Sequence, residues 1–222
     1  LALLVLKQSE DPDVVFGCVT SGRTAPVPDI NNIVGPTIAT IPFRVQVDRE
    51  HLVRDYIDGI QSKAQAHTSW EHIGIQRIGN LSNAARLACS FQSLVTAQPS
   101  ASESEKSSML TFQNQQDQSD FLTYAINLEI IPHDDHLEAH VQYDPQVIQP
   151  MQMNRLLGQF EHIFAQLAHQ RDNPIARVED IKVISPEDTA EVQAWNNHIP
   201  DTVDECIHTL IEQRTKGHAG KK

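Results

Sequence analysis

The strongest constraint on the fold lies between Leu122 and Leu167. Leu122, Tyr124, Ile126, Leu128 and Ile130 alternate with Thr123, Ala125, Asn127 and Glu129; after "PHDDH", Leu137, Ala139, Val141 and Tyr143 alternate with Glu138, His140 and Gln142. Successive side chains of a strand point to opposite faces, so each segment reads as a half-buried strand, and the polar turn between them makes the pair a β-hairpin. Behind Pro150, a residue at home in the first turn of a helix, Met153, Leu156, Leu157, Phe160, Ile163, Phe164 and Leu167 recur at helical spacing. A hairpin with one apolar face and a helix with one apolar stripe bury both by packing together, so a helix lying on a sheet is predicted.

The preceding sequence extends that sheet. Val14 to Val19 form a nearly continuous apolar run, which predicts a strand covered on both faces. Ile41, Phe43, Val45 and Val47 alternate with Pro42, Arg44 and Gln46. Pro42 has no ladder N–H to donate and belongs at an edge, a bulge or a strand start. Asp48 is the predicted N-cap of a helix carrying Leu52, Val53, Tyr56, Ile57 and Ile60 on its inner face. "ACSFQSLVTA", from Ala88 to Ala97, reads as a further strand, with Cys18 and Cys89 as core residues of their strands. "QPSASESEKSSMLTFQNQQDQSD" is rich in Ser and Gln and reads as a long mobile loop. "LALLVLKQSEDPD" reads as the last turns of a helix, the expectation being a fragment of a longer protein. Beyond Arg177 a linker with one short helix begun at "SPED" leads to a final helix, "VDECIHTLIEQRT". Strands and amphipathic helices mixed without a βαβ rhythm predict an α/β sandwich, a mixed sheet with packed helices.

Charge and cysteine usage exclude several functions. A net charge of -12 disfavours nucleic acid, whose phosphates need a concentrated positive surface. The opening apolar run is too short to span a membrane. Cys18, Cys89 and Cys206 are distant and odd in number and show no C-x-x-C spacing, so free thiols in the cytoplasm are expected. No P-loop, dinucleotide, nucleophile-elbow or zinc-protease motif occurs.

Three polar groups are candidates for chemistry. His133, Asp134, Asp135 and His136 have metal-ligand chemistry, but they occupy a hairpin tip, where solvation alone explains polar residues; no metal site is expected. Ser21-Gly22-Arg23 reads as an anion site or, more simply, as a strand-ending turn whose Arg anchors a neighbouring loop. His67, Glu71 and His72 around Trp70 read as an acid–base pair or as packing.

These segments, in this order, resemble the second half of the condensation domains of nonribosomal peptide synthetases. "DVVFGCVTSGR" resembles that family's strand ending in a G-R turn, and Val34, Gly35, Thr40 and Arg44 match its [IV]-G-x-x-x-N-T-x-x-x-R block. "TSWEHIGIQRI" resembles the H-Q-x-x-P-F-E element, with Trp70 and Glu71 at its last two positions and Ser69 in place of its Pro. "ACSFQSLVTAQP" resembles the F-Q-N strand; "LEAHVQYDPQVI" and "MNRLLGQFEHIFAQLA" also fit. "WNNHIPDTVDECIHTLIEQRT" resembles the linker and opening helix of a following adenylation domain. Ala39 stands where the family usually has Asn, in a form similar to that of fungal assembly lines, and the H-H-x-x-x-D-G signature is absent from the 222 residues.

The resemblance implies an incomplete chloramphenicol-acetyltransferase-like sandwich lobe over residues 1–177, a linker over 178–201 and the start of an adenylation domain or a tail over 202–222. It implies a part in amide-bond formation between carrier-tethered thioesters, with no catalytic residue in this chain. Ser21, Gly22, Arg23, Gly35, Thr37, Ala39, Thr40 and Gln92 would line the substrate channel. The implied partners are the N-terminal lobe of the same domain, peptidyl carrier domains and an adjacent adenylation domain. No cofactor would bind directly, 4'-phosphopantetheine being carried on the carrier domains. A non-catalytic interaction module and an epimerization or ester-forming relative share the architecture.

Overall fold

Apolar–polar alternation and helical stripes resolve into two compact units, Leu1–Ser185 and Pro186–Lys222, in a computed structural model that describes residues 1–23, 27–98, 110–114, 123–197 and 205–218. The first unit runs α1 (Ala2–Ser9), β1 (Asp13–Thr20), β2 (Ala39–Gln46), α2 (Val53–Thr68), α3 (Ile75–Gly79), α4 (Asn83–Ala88), β3 (Ser93–Ala97), β4 (Leu110–Asn114), β5 (Ile126–Pro132), β6 (Leu137–Tyr143) and α5 (Pro150–Gln170). The second holds α6 (Pro186–Asn196) and α7 (Ile207–His218). Among the described residues no helix is long and apolar enough to cross a membrane.

The strands form one open, mixed sheet in the order β2-β1-β3-β5-β6-β4. β1 is antiparallel to β2 and parallel to β3, β3 is parallel to β5, and the β5–β6 hairpin is antiparallel as its alternation predicts. β2 is an edge strand, which is where Pro42 is tolerated. β4 pairs with β6 in parallel and corrects the reading of that stretch as loop throughout; the rest of the Ser- and Gln-rich segment, and Leu122, lie outside the described residues.

Register fixes which face is apolar. Val14, Phe16 and Cys18 of β1, with Phe43 and Val45 of β2, pack against α1, α2 and α5 in one cluster. Leu128, Ala139, Val141 and Tyr143 of the hairpin pack with Met153 of α5 in a second. Phe160 belongs to both, so α5 spans the sheet and joins its halves. The opposite face is polar over the hairpin, where Asn127 and Glu129 stand beside Gln142 and His140. On β1 it is covered at one point: the Phe91 ring lies so close to Gly17 that a Cβ there would come within 2.2 Å of it. Thus the Val14–Val19 run is covered on its helix side and only locally on the other, leaving most of it half-buried.

Three local expectations need correcting. Asp48 does not cap α2: its carboxylate accepts from the Glu50 N–H, and the helix begins after Leu52. The opening N–H of Val53 instead donates to the Ala176 carbonyl at 2.9 Å, because the chain beyond α5 runs back along residues 49–53. The strand expected from Ala88 is only Ser93–Ala97, since Ser82 caps α4 by accepting from the Ala85 N–H and that helix consumes Ala88. Cys89 therefore sits at a helix end rather than in a strand, and all three cysteines are free. Finally, Val178 and Ile181 are buried in the main core, and the Gln166 side-chain amide holds both the N–H and the carbonyl of Lys182, so packing carries the first unit past residue 177.

Met153, almost fully buried where α5 meets the hairpin, reports on this packing. Met153→Ala should cost about 2–5 kcal/mol in chemical denaturation, whereas Met151→Ala, on the exposed side of the same helix, should stay within about 0.5 kcal/mol.

Candidate functional site

Where β1 ends, Gly22 adopts φ +64°, and a Cβ there would meet the Thr37 carbonyl oxygen at 1.8 Å and His72 Cε1 at 3.0 Å. Only glycine fits this left-handed, crowded position. The Thr37 hydroxyl donates to the Ser21 carbonyl at 2.8 Å, pinning the loop that returns to β2 against the turn. Arg23 organises the same loop from within. Its guanidinium donates to the carbonyls of Ile30 at 2.8 Å and of Asn31, Ile33 and Gly35 at 3.3 Å. With its donors spent on backbone oxygens, Arg23 is a loop anchor, and the anion-site reading has no support.

The folded-back loop borders an open cleft of about 340 Å³. Gly22, Thr37 and His72 line it together with Val27, Ile30, Ile33, Pro36 and Ile38. His72 arrives on a short helical turn, Glu71–Ile73, that also buries Glu71 to 1 % exposure. His72 Nε2 lies 3.6 Å from Glu71 Oε1, an electrostatic contact longer than a hydrogen bond. Glu71 and His72 are therefore neighbours at the edge of a cleft. His67 is not part of it: its ring packs edge-on against Phe43 at 5.1 Å, and burial, then nearby Lys63, push its pKa down.

The expected channel residues divide. Ser21, Gly22, Arg23, Gly35 and Thr37 gather at the loop, and Ala39 and Thr40 follow at the start of β2 opposite Thr20 and Val19. Gln92 is elsewhere. The parallel register that sets Gly17 beside Leu94 puts Gln92 level with Val15, which at ~3.3 Å per residue lies ~20 Å along the sheet from Ser21. Sequence reasoning left His72 outside the channel set, and Ile38 with it; the neighbouring Glu71 and the loop's apolar residues were the available signals. Arg44 sits on the polar side of β2, where its guanidinium grips the Asp13 carboxylate through Nε at 2.7 Å and Nη2 at 2.5 Å.

At the hairpin tip the two imidazoles are largely withdrawn from solvent, while Asp134 and Asp135 stay exposed as in an ordinary turn. His133 and His136 stack with centroids 4.3 Å apart, and Asp135 bonds His136 Nδ1 at 2.6 Å. His133 also faces Glu138, which in turn contacts His140 at 3.2 Å. The imidazoles, His140 foremost, hold the Glu138 carboxyl below its usual range. Among the described residues no group of side chains has the arrangement of a metal site.

The family description "condensation domain" matches residues 1–192. The chain belongs to the condensation-domain family. This condensation-domain chain is 37% identical over 96% of its length to N-benzoylphenylalaninol synthetase apmA of Penicillium brevicompactum. It is 31% identical over 97% of its length to peramine synthetase ppzA of Metarhizium rileyi, and 34% identical over 96% to nonribosomal peptide synthetase 30 of Fusarium vanettenii. It spans only 9%, 7% and 4% of those proteins respectively. Its fold is similar to a crystal structure described as CT, with TM-score 0.59 and 22% identity, over 82% of this chain and 41% of that one. The first condensation domain of the CDA synthetase gives TM-score 0.59 at 14% identity, over 82% of this chain and 40% of that one.

Two variants test this geometry. Gly22→Ala should lose about 1–2 kcal/mol from the left-handed backbone alone, with the overlap on Thr37 adding to it, read as a lowered denaturation midpoint. The Arg44 hydrogen bond holds the Asp13 carboxyl below its usual range. That stabilisation is complete above the unfolded Asp pKa of about 4 and fades as pH falls through the lower folded value. Asp13→Asn should therefore lower the melting temperature at pH 7, and the gap from the parent should close in acid.

Proposed function

We propose that this chain is the C-terminal, acceptor-side lobe of a condensation domain in a nonribosomal peptide synthetase. The carrying observation is a family match over residues 1–192 in a chain that spans 40% of the solved first condensation domain of the CDA synthetase and contains no H-H-x-x-x-D-G. In this reading the sheet and its helices are one lobe of a chloramphenicol-acetyltransferase-like sandwich, and a second lobe supplies the catalytic imidazole. The relatives' names, a phenylalaninol-derived amide and a nonribosomal peptide synthetase among them, support amide formation as the reaction.

The acceptor amine nitrogen attacks the donor thioester carbonyl; the C–N bond forms, the C–S bond breaks, and the thiol leaves with the proton the amine gives up. Holding two tethered reactants together supplies much of the acceleration. This chain's share is positional. Arg23 and Thr37 fix the loop, and the loop with His72 forms a wall against which the acceptor is oriented. Both reactants arrive on phosphopantetheine arms of separate carrier domains, which bind as substrates. The chain beyond the family match at residue 192 is read as a linker that leads, over 202–222, into the opening of a following adenylation domain.

Offered loaded donor and acceptor carriers, the isolated chain should form no amide, and adding the remainder of its domain should restore product detected by mass spectrometry. Amide formation by the chain alone would overturn the assignment.

A further inference from the structure

His67 is an imidazole that the cleft does not use, yet it stands at the root of one cleft wall. It occupies the last turn of α2, and its carbonyl accepts the Trp70 N–H at 2.9 Å. That bond leads the chain into the Glu71–Ile73 turn, which brings His72 to the cleft. We propose that His67 is a pH-sensitive latch on this wall: the neutral ring holds the end of α2 and the following turn on β2, and a proton on the ring lets them loosen.

Three observations make a charged ring a poor fit here. The imidazole stands edge-on to Phe43 at 5.1 Å, and Phe43 is itself buried and stacked on Phe16 at 5.5 Å, so one side of the ring faces hydrocarbon. His67 Nδ1 is buried and has no hydrogen-bond partner among the described residues. A neutral imidazole can leave that nitrogen as a bare lone pair. An imidazolium carries hydrogen on both nitrogens, and the one on Nδ1 would be buried without an acceptor. The third observation is Lys63, one helical turn earlier on the same face, whose ammonium is held at the β2 edge by donating to the Arg44 carbonyl at 2.9 Å. A second positive charge beside it is repelled. The C-terminal end of a helix ordinarily favours a cation, but burial and then Lys63 outweigh it and hold the His67 pKa below its usual value.

Among the described residues none of the other titratable groups pairs with the ring. β2 carries only Arg44, which is committed to Asp13 at the start of β1. Cys18 of β1 packs into the apolar core. In the turn, Glu71 faces His72 at 3.6 Å, and α3 adds Arg77. The remaining titratable residues of α2, Asp58 and those before it, lie further back along the helix. Opening the turn exposes the imidazole to water, where it takes a proton at its ordinary value, before the packed ring does. The packed turn is therefore most secure above that value and loses stability as pH falls below it. Because His72 rides on the turn, acid loosens the imidazole side of the cleft whatever the cleft binds.

The test is amide hydrogen exchange on the full chain, read as protection factors of the Trp70 and Ile73 N–H groups, which bond the His67 and Trp70 carbonyls, from about pH 7.5 to about pH 5.5. Protection at both should fall severalfold across this range while the α5 amides hold theirs. His67→Leu, which keeps hydrocarbon against Phe43, should leave protection flat with pH. Lys63→Gln should shrink the loss, since one of its two causes is gone, and His72→Gln should keep it. A loss that survives in His67→Leu, or that vanishes in His72→Gln, would overturn the proposal and assign the effect to the Glu71–His72 contact. Unchanged protection in the parent chain, or a loss shared equally by α5, would overturn it as well. Should His67→Leu fail to fold, the Cε1 proton shift of His67 in the parent chain decides. A titration midpoint below that of the same residue in a short peptide supports the latch, and one at or above it overturns the latch.

Discussion

The structure depends on one packing event, the laying of the α5 stripe across the mixed sheet. The sheet alone is two hairpin-like halves, β1–β2 and β5–β6, joined through the short strand β3. β3 pairs with β1 through only three residues and with β5 through five, a weak hinge against solvent. α5 removes that weakness by burying Met153 against one half and Ile163 against the other, with Phe160 touching both clusters. The segment beyond it then returns along residues 49–53 and satisfies the start of α2. Each later feature, including the angle at which β1 delivers its terminal turn, inherits its position from this layer.

The cleft follows from turn chemistry set on that rigid base. β1 must end abruptly, and Gly22 allows it by tolerating a backbone conformation and a contact that no side chain permits. Four carbonyls converge on Arg23, which gives the loop a polar interior. With its backbone turned inward to the guanidinium, the loop displays Val27, Ile33, Val34 and Ile38 outward. An apolar loop surface on a chain so acidic is costly in water unless something covers it. The second lobe and the substrate proposed above are the groups that would do so.

Much of the fold was legible because its signals are local. Period-two alternation at 126–132 and 137–143, and the helical stripe behind Pro150, arise from the geometry of single elements, and Pro42 announced its own edge strand. What sequence reading missed depended on distant partners. β4 sits in a Ser- and Gln-rich stretch and exists by pairing its backbone with β6, which composition does not reveal. Asp48 has the chemistry of a cap, but the Ala176 carbonyl, more than a hundred positions away, takes that role. For the site, the Gly-Arg turn was readable and its loop-anchoring reading holds. The approach of His72 to Gly22 was not, since it is set by how the turn after α2 packs back on the sheet. Gln92 was drawn to the channel by motif resemblance, and only strand register shows how far along the sheet it lies.

A crystal structure of the whole parent domain bound to a non-hydrolysable acceptor analogue tests the central claim most directly. The account predicts that the loop over residues 27–38 faces an interlobe channel, with the analogue's amine directed at an imidazole contributed from outside these 222 residues. A loop turned away from that channel, or an analogue bound without contact to this lobe, would contradict it.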